Sequence, residues 1–213
     1  MLMYQPEDLS ELMKFCREQK ILMIQDEVFT GFGRTGKLFA ADHLSEQPDI
    51  MCFSKGLTGG TMPMGITSCS QEIFDAFLSD DQYKTLFHGH SFTANPLACI
   101  AALASMELLL KKDTLQCIDL IAKKHAEFVT ILERHPKVEK VRQTGTILAW
   151  EIISSQKTSY FNDIGKLLYK EFMKRGIILR PLGNVMYLVP PYCTTAEELN
   201  LIYRHIIEVL DCF

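Results

Sequence analysis

Two side chains in this sequence are spaced as a reactive pair would be. Asp26 closely follows the apolar run Ile21-Leu22-Met23-Ile24, and Lys55 follows a second short, mostly apolar run over residues 49–54, 29 residues further along. Short continuous apolar runs are the form of parallel strands covered on both faces. In open α/β sheets, ligands sit beyond the carboxyl ends of such strands. Singly, each residue has an ordinary reading, Asp26 as a cap or ion-pair partner and Lys55 as a solvated surface lysine. Together they supply what pyridoxal phosphate chemistry needs. An amine forms a Schiff base with the cofactor aldehyde and, once displaced by the amino donor, moves the substrate proton. A carboxylate hydrogen-bonded to the pyridine nitrogen keeps it protonated, so that the ring draws electrons from the carbanion left when the α-proton departs.

Positioning such a pair takes an α/β frame, and the order of the elements supplies one. Residues 6–20 set Leu9, Leu12, Met13 and Cys16 at three-and-four spacing, an amphipathic helix with Pro6 near its first turn. Strands are expected over 21–24, 49–54 and 64–68. A helix over 95–111 is expected to turn Leu97, Ala101, Ala104 and Leu108 to one face, and another spans 113–134. Beyond it, 138–153 reads as two strands about Thr144-Gly145, and 159–174 as a helix closed by Gly176. Residues 177–180 and 185–189 read as strands flanking Gly183-Asn184, and 195–210 as a helix capped by Thr194 or Thr195. The expected division is 1–112 as part of a larger α/β domain, 113–136 as a connecting helix and 137–213 as a small α+β domain.

The composition narrows the ligand. With 47% hydrophobic and 23% charged residues in 213, the chain is globular rather than disordered. It is long enough to bury roughly 70% of its unfolded surface. Twenty-two Lys and Arg against 26 Asp and Glu, without a basic run, argue against nucleic acid or an anionic membrane and for a small molecule. No apolar stretch approaches the ~20 residues that cross a bilayer. Seven cysteines, odd in number and never in CxxC, read as free thiols of a reducing cytoplasm rather than as disulfides or a zinc site.

Three motifs invite other chemistry. Gly31-Phe32-Gly33-Arg34-Thr35-Gly36 satisfies GxGxxG, and with Lys37 nearly completes a P-loop. Leu38 stands where a P-loop needs a magnesium-binding hydroxyl, and the segment does not open a helix directly off a strand, so a loop of permissive glycines is expected. His88 and His90 lie two apart with no third ligand at helical spacing, and no metal site is expected.

The run Asp26-Glu27-Val28-Phe29-Thr30-Gly31-Phe32-Gly33-Arg34-Thr35-Gly36, followed by Pro48-Asp49-Ile50 and Ser54-Lys55-Gly56-Leu57-Thr58-Gly59-Gly60, resembles the class III, fold-type I aminotransferases. Within that family, His88-Gly89-His90-Ser91-Phe92, Asn95-Pro96-Leu97-Ala98, Leu179-Arg180-Pro181-Leu182-Gly183 and Tyr187-Leu188-Val189-Pro190-Pro191-Tyr192 are similar to the branch that transfers an amine from S-adenosylmethionine to 8-amino-7-oxononanoate. The resemblance implies a fold-type I large domain followed by a small C-terminal domain, and a homodimer. It makes Lys55 the lysine that holds the cofactor, Asp26 the partner of the pyridine nitrogen, and Ser91, where the family usually has threonine, a phosphate donor across the dimer interface. Arg180 becomes the clamp on the acceptor carboxylate, worth on the order of 1.5–3 kcal/mol as a charge-assisted pair. Without the resemblance it is a surface arginine after a strand. Gly89 belongs to the phosphate and substrate loop, and His90 replaces a usual proline. Tyr187 lines the substrate pocket or packs the core.

Family members are about twice this length, so the chain is expected to be a C-terminal half, weak in cofactor binding and with apolar surface uncovered. The alternatives are another class III enzyme acting on an ω-amino acid or diamine, and a non-catalytic module that needs a partner.

Overall fold

The computed structural model describes residues 1–212. The chain divides into two compact units, one of Tyr4–Lys111 and one of Met1–Met3 with Lys112 onward.

In the first unit, α1 (Pro6–Glu18) has Pro6 at its start, Glu7 and Asp8 in its first turn and Arg17 in its last. These charges complement the helix dipole. It buries Ser10, Met13 and Cys16. A three-stranded sheet follows in the order β1 (Ile24–Asp26), β2 (Ile50–Phe53), β3 (Ile66–Cys69). β1 and β2 run parallel with Ile24 opposite Ile50 and Asp26 opposite Cys52, whereas β3 is antiparallel to β2. β1 begins later than the apolar run suggested, because Asp49 captures Met23. Its carboxylate accepts from the Met23 N–H at 2.7 Å and its own N–H donates to the Met23 carbonyl at 3.0 Å. The run is also not covered: Ile21, Leu22 and Ile24 are more than half exposed, β1 being an edge strand here. A short helix, α2 (Gln71–Phe77), is capped by Ser70.

α3 (Pro96–Leu109) is capped by Asn95, whose Oδ1 accepts from Leu97 N and Ala98 N. Its buried residues are Ala98, Ala102 and Leu109, not the expected face, of which Leu97 is 70% and Leu108 57% exposed. The helix is apolar almost all round, so its periodicity does not choose a side. Small residues choose it. Ala98, Ala102 and Ser105 let the helix approach the turn at Lys55–Thr58, where the Ser105 hydroxyl donates to the Gly56 carbonyl at 3.0 Å.

The second unit packs α4 (Lys112–Leu132), α5 (Ile164–Lys174) and α6 (Ala196–Cys212) with an antiparallel sheet β4 (Val138–Thr144), β5 (Ile147–Ile152), β6 (Val185–Leu188). The helix expected as a connector belongs to this core: Ile121, Phe128 and Leu132 lie buried with Trp150, Phe172, Leu199 and Ile206. His125 of α4 is fully buried, its Nδ1 2.6 Å from the Tyr203 hydroxyl and its Nε2 3.2 Å from the Thr146 carbonyl. Thr195 and Glu198 form a reciprocal cap on α6, the Thr195 hydroxyl accepting from Glu198 N and the Glu198 carboxylate from Thr195 N. Residues 177–180 form no ladder. The turn that pairs Leu182 with Val185 is closed by two backbone bonds, but Pro181 beyond it has no N–H to continue the pairing. α5 starts at Ile164 rather than 159, because the preceding segment is tied by Ser159 N to Asn184 Oδ1 at 3.3 Å.

Candidate active site

The parallel pairing of β1 with β2 sets two chemically useful residues at one end of the sheet. Asp26 is the last residue of β1, and its register partner Cys52 lies three residues before Lys55, which opens the turn after β2. Both side chains are exposed. The Asp26 carboxylate accepts from Val28 N at 2.9 Å, a local bond that fixes the start of the following loop. Lys55 adopts φ +45°, a left-handed conformation that costs a non-glycine residue on the order of 1–3 kcal/mol. The turn holds it there: Leu57 N donates to the Ser54 carbonyl, Gly59 N to Gly56 and Gly60 N to Lys55. Gly56 is required by its neighbour, since a Cβ would fall 2.7 Å from the ring of buried Phe32. The Lys55 ammonium lies 5.5 Å from the Phe29 ring centroid, within cation–π range.

The glycine-rich segment is a folded turn and opens no helix. Gly33 and Gly36 take φ +94° and +88°, and Gly33 N donates to the Leu38 carbonyl at 3.0 Å. Its anchor is a residue to which no role was assigned from sequence. Glu27 is completely buried, with Oε1 accepting from Gln25 Nε2 and Ala41 N, each at 2.8 Å, and Oε2 accepting from the Thr30 hydroxyl at 2.6 Å. The signal for it is strand alternation. Of two adjacent acids at a strand end, one must turn away from the other's face.

Gly89 and Ser91 lie on the exposed segment before α3, hydrogen-bonded to neither Asp26 nor Lys55. The local bonds there come from His90, whose N–H donates to the Thr93 hydroxyl and whose Nδ1 accepts from Phe92 N. Among the described residues no group of three or more His, Cys, Asp or Glu is arranged to hold a metal. In the second unit, Arg180 and Tyr187 line one groove of about 300 Å³ with Leu179 and Val189, and Arg180 also borders a cavity of about 430 Å³ beside Tyr160 and Lys166.

The model of the class III aminotransferase family matches residues 1–210. The chain belongs to that family. It is 44% identical over 211 residues to the adenosylmethionine-8-amino-7-oxononanoate aminotransferase of Synechococcus elongatus, covering 99% of this chain and 49% of that protein. A protein of the same name from Geobacter sulfurreducens is 41% identical over 94% of this chain and 46% of its own length. Among solved structures, adenosylmethionine-8-amino-7-oxononanoate aminotransferase from Methanocaldococcus jannaschii superposes with a TM-score of 0.92 at 34% identity, over 99% of this chain and 50% of that one. An (S)-enantioselective omega-transaminase from Thermomicrobium roseum gives 0.86 at 31% identity, over 94% and 45%. The class III chain thus spans about half the length of the relatives it matches. The likeness to fold-type I enzymes agrees with the α/β architecture read from its element order.

Proposed function

We propose that this chain is part of a pyridoxal phosphate-dependent aminotransferase that moves an amino group from S-adenosylmethionine to 8-amino-7-oxononanoate, giving 7,8-diaminononanoate. The observation that carries the reading is the placing of Asp26 and Lys55 at the carboxyl ends of adjacent parallel strands within the matched family region. An exposed carboxylate and an exposed amine following adjacent parallel strands are the donor set the cofactor requires, one for its ring nitrogen and one for its aldehyde carbon. When bound, the cofactor supplies an aldehyde carbon and an electron-withdrawing ring.

The chain's own residues divide the remaining work. Asp26 holds a proton on the ring nitrogen, and its charge opposes loss of that proton. Lys55 Nζ would hold the cofactor through its aldehyde and, once released by the amino donor, would serve as the base and acid that moves the substrate proton. Ser91, from a neighbouring subunit of a homodimer, donates to the phosphate. Arg180 receives the acceptor carboxylate in its planar fork, with Tyr187 as a wall of the same groove. Gly89, with nothing within 4 Å of the position its Cβ would take, leaves room beside the substrate. We assign residues 1–112 to the cofactor-binding domain and 137–213 to the small domain, with the connecting segment 113–136 built into the core of the second unit. All seven cysteines are free thiols, which suits the cytoplasmic setting we propose.

The test is covalent trapping. The chain is incubated with pyridoxal phosphate, reduced with borohydride and mapped by peptide mass. The adduct is expected in low yield, in keeping with weak cofactor binding by a half-length chain, but at Lys55 above every other lysine, and to vanish from that peptide in Lys55→Ala. An even spread over surface lysines refutes the assignment. Acceptor binding is checked by ligand-observed NMR with 8-amino-7-oxononanoate, whose signal is expected to weaken with Arg180→Ala.

A further inference from the structure

Asp26 faces solvent while the next carboxylate, Glu27, is sealed in the interior. A buried carboxylate is tolerated only when its oxygens are hydrogen-bonded, and the three donors that do so are informative in their positions. Gln25 lies on β1, Thr30 at the start of the glycine-rich loop and Ala41 just beyond that loop. One side chain therefore ties together both ends of residues 27–41. That loop lays two rings on the lysine turn, Phe32 against Gly56 and Phe29 over the Lys55 ammonium. Phe32 itself sits at φ +59°, an arrangement that needs the loop held from both sides.

We propose that Glu27 is a positioning residue for Lys55: it fixes the loop whose two aromatic rings clamp the lysine turn, and so sets the direction in which the amine is presented. Its consequence for reactivity rests on Lys55 being the amine that meets the cofactor. The clamp itself is a property of the fold and is tested separately.

Hydrogen exchange with mass spectrometry on the full chain reads the clamp through the amides of Leu57, Gly59 and Gly60, which close the turn. Glu27→Ala is expected to speed their exchange about tenfold, and Thr30→Val, which removes one donor, about threefold to fivefold, the range of a lost hydrogen bond. Glu27→Gln is expected to restore protection, since its amide oxygen can take the two N–H groups and its NH₂ can donate to the Thr30 hydroxyl. In parallel, the share of borohydride-trapped pyridoxal phosphate found on Lys55 falls and recovers with the same variants. Unchanged exchange at 57–60 in Glu27→Ala and Thr30→Val overturns the proposal. So does an equal rise across α1 and β2 in Thr30→Val, which marks general loosening, or a Glu27→Gln variant no better than Glu27→Ala. If exchange responds as expected but wild-type Lys55 is not preferentially trapped, the clamp stands and the aminotransferase role of Lys55 fails.

Discussion

Acidification is expected to destabilise the second unit well above the pH at which carboxylates titrate, through one histidine. His125 is fully buried between α4, α6 and the turn joining β4 to β5. Burial disfavours its charged form and, against the backbone bond to Thr146 that works the other way, brings its pKa from 6.5 down to about 4. Burial also raises the Tyr203 hydroxyl well above its ordinary value, aided by the nearby charge of Glu127, so Tyr203 remains a donor to the imidazole. Between pH 6.5 and about 4 the unfolded chain binds a proton that the folded chain refuses. Stability therefore rises with pH across that window and is lost as pH falls through it. At pH 5 the loss from this group is about 2 kcal/mol, approaching about 3 kcal/mol near pH 4.

Trp150, the only tryptophan, lies in the same core and reports the transition by fluorescence during urea unfolding. Glu151 adds little at pH 5. Although burial pushes its carboxyl up, hydrogen bonds from Thr158 and Lys140 and the charges of Lys140 and Arg142 outweigh this and hold it below 4.5, so its contribution disappears only in more acid solution. Unfolding free energies at pH 7.5 and pH 5 are expected to differ by about 2 kcal/mol in the wild type. In His125→Phe, less stable throughout because Tyr203 loses its acceptor, the difference is expected to shrink to a few tenths of a kcal/mol. Equal pH slopes in the two proteins would refute the reasoning.

Three further outcomes follow from local geometry. Gly56→Ala drives a Cβ into the Phe32 ring and is expected to destabilise the first unit by about 1–3 kcal/mol, measured by thermal unfolding monitored by circular dichroism. Gly183→Ala meets the Ser159 carbonyl at a backbone of φ +64°, and limited proteolysis is expected to cut residues 154–163 first, whereas the wild type resists there. Thr195→Ala removes the cap of α6 and is expected to cost about 1 kcal/mol in the Trp150 transition, with little effect on the first unit.

Much of the frame was legible from local rules. Proline at the head of α1, the Asn95-Pro96 start of α3, the Thr195-x-x-Glu198 box of α6 and the glycine turns are short-range signals, because a cap or turn is satisfied by residues within a few positions. The parallel pairing of the strands that carry Asp26 and precede Lys55 was legible for a related reason: parallel strands that follow one another with a crossover tend to be neighbours.

What only tertiary structure decided lies where the local pattern is degenerate. α3 is apolar on nearly every side, and the small residues Ala98, Ala102 and Ser105 select the buried face by the distance at which the Lys55 turn can approach. The onset of β1 was set by the carboxylate of Asp49, 26 residues away from the Met23 amide it binds. Residues 177–180 had the composition of a strand but, with Pro181 at the point where pairing would continue, no way to extend the ladder. The division of labour between Asp26 and Glu27 was likewise invisible in two adjacent acids. Amino-acid types and spacing determined which groups were available for chemistry. Burial, a long-range property of the packed chain, determined which carboxylate was left facing solvent and which became the anchor of the loop over Lys55.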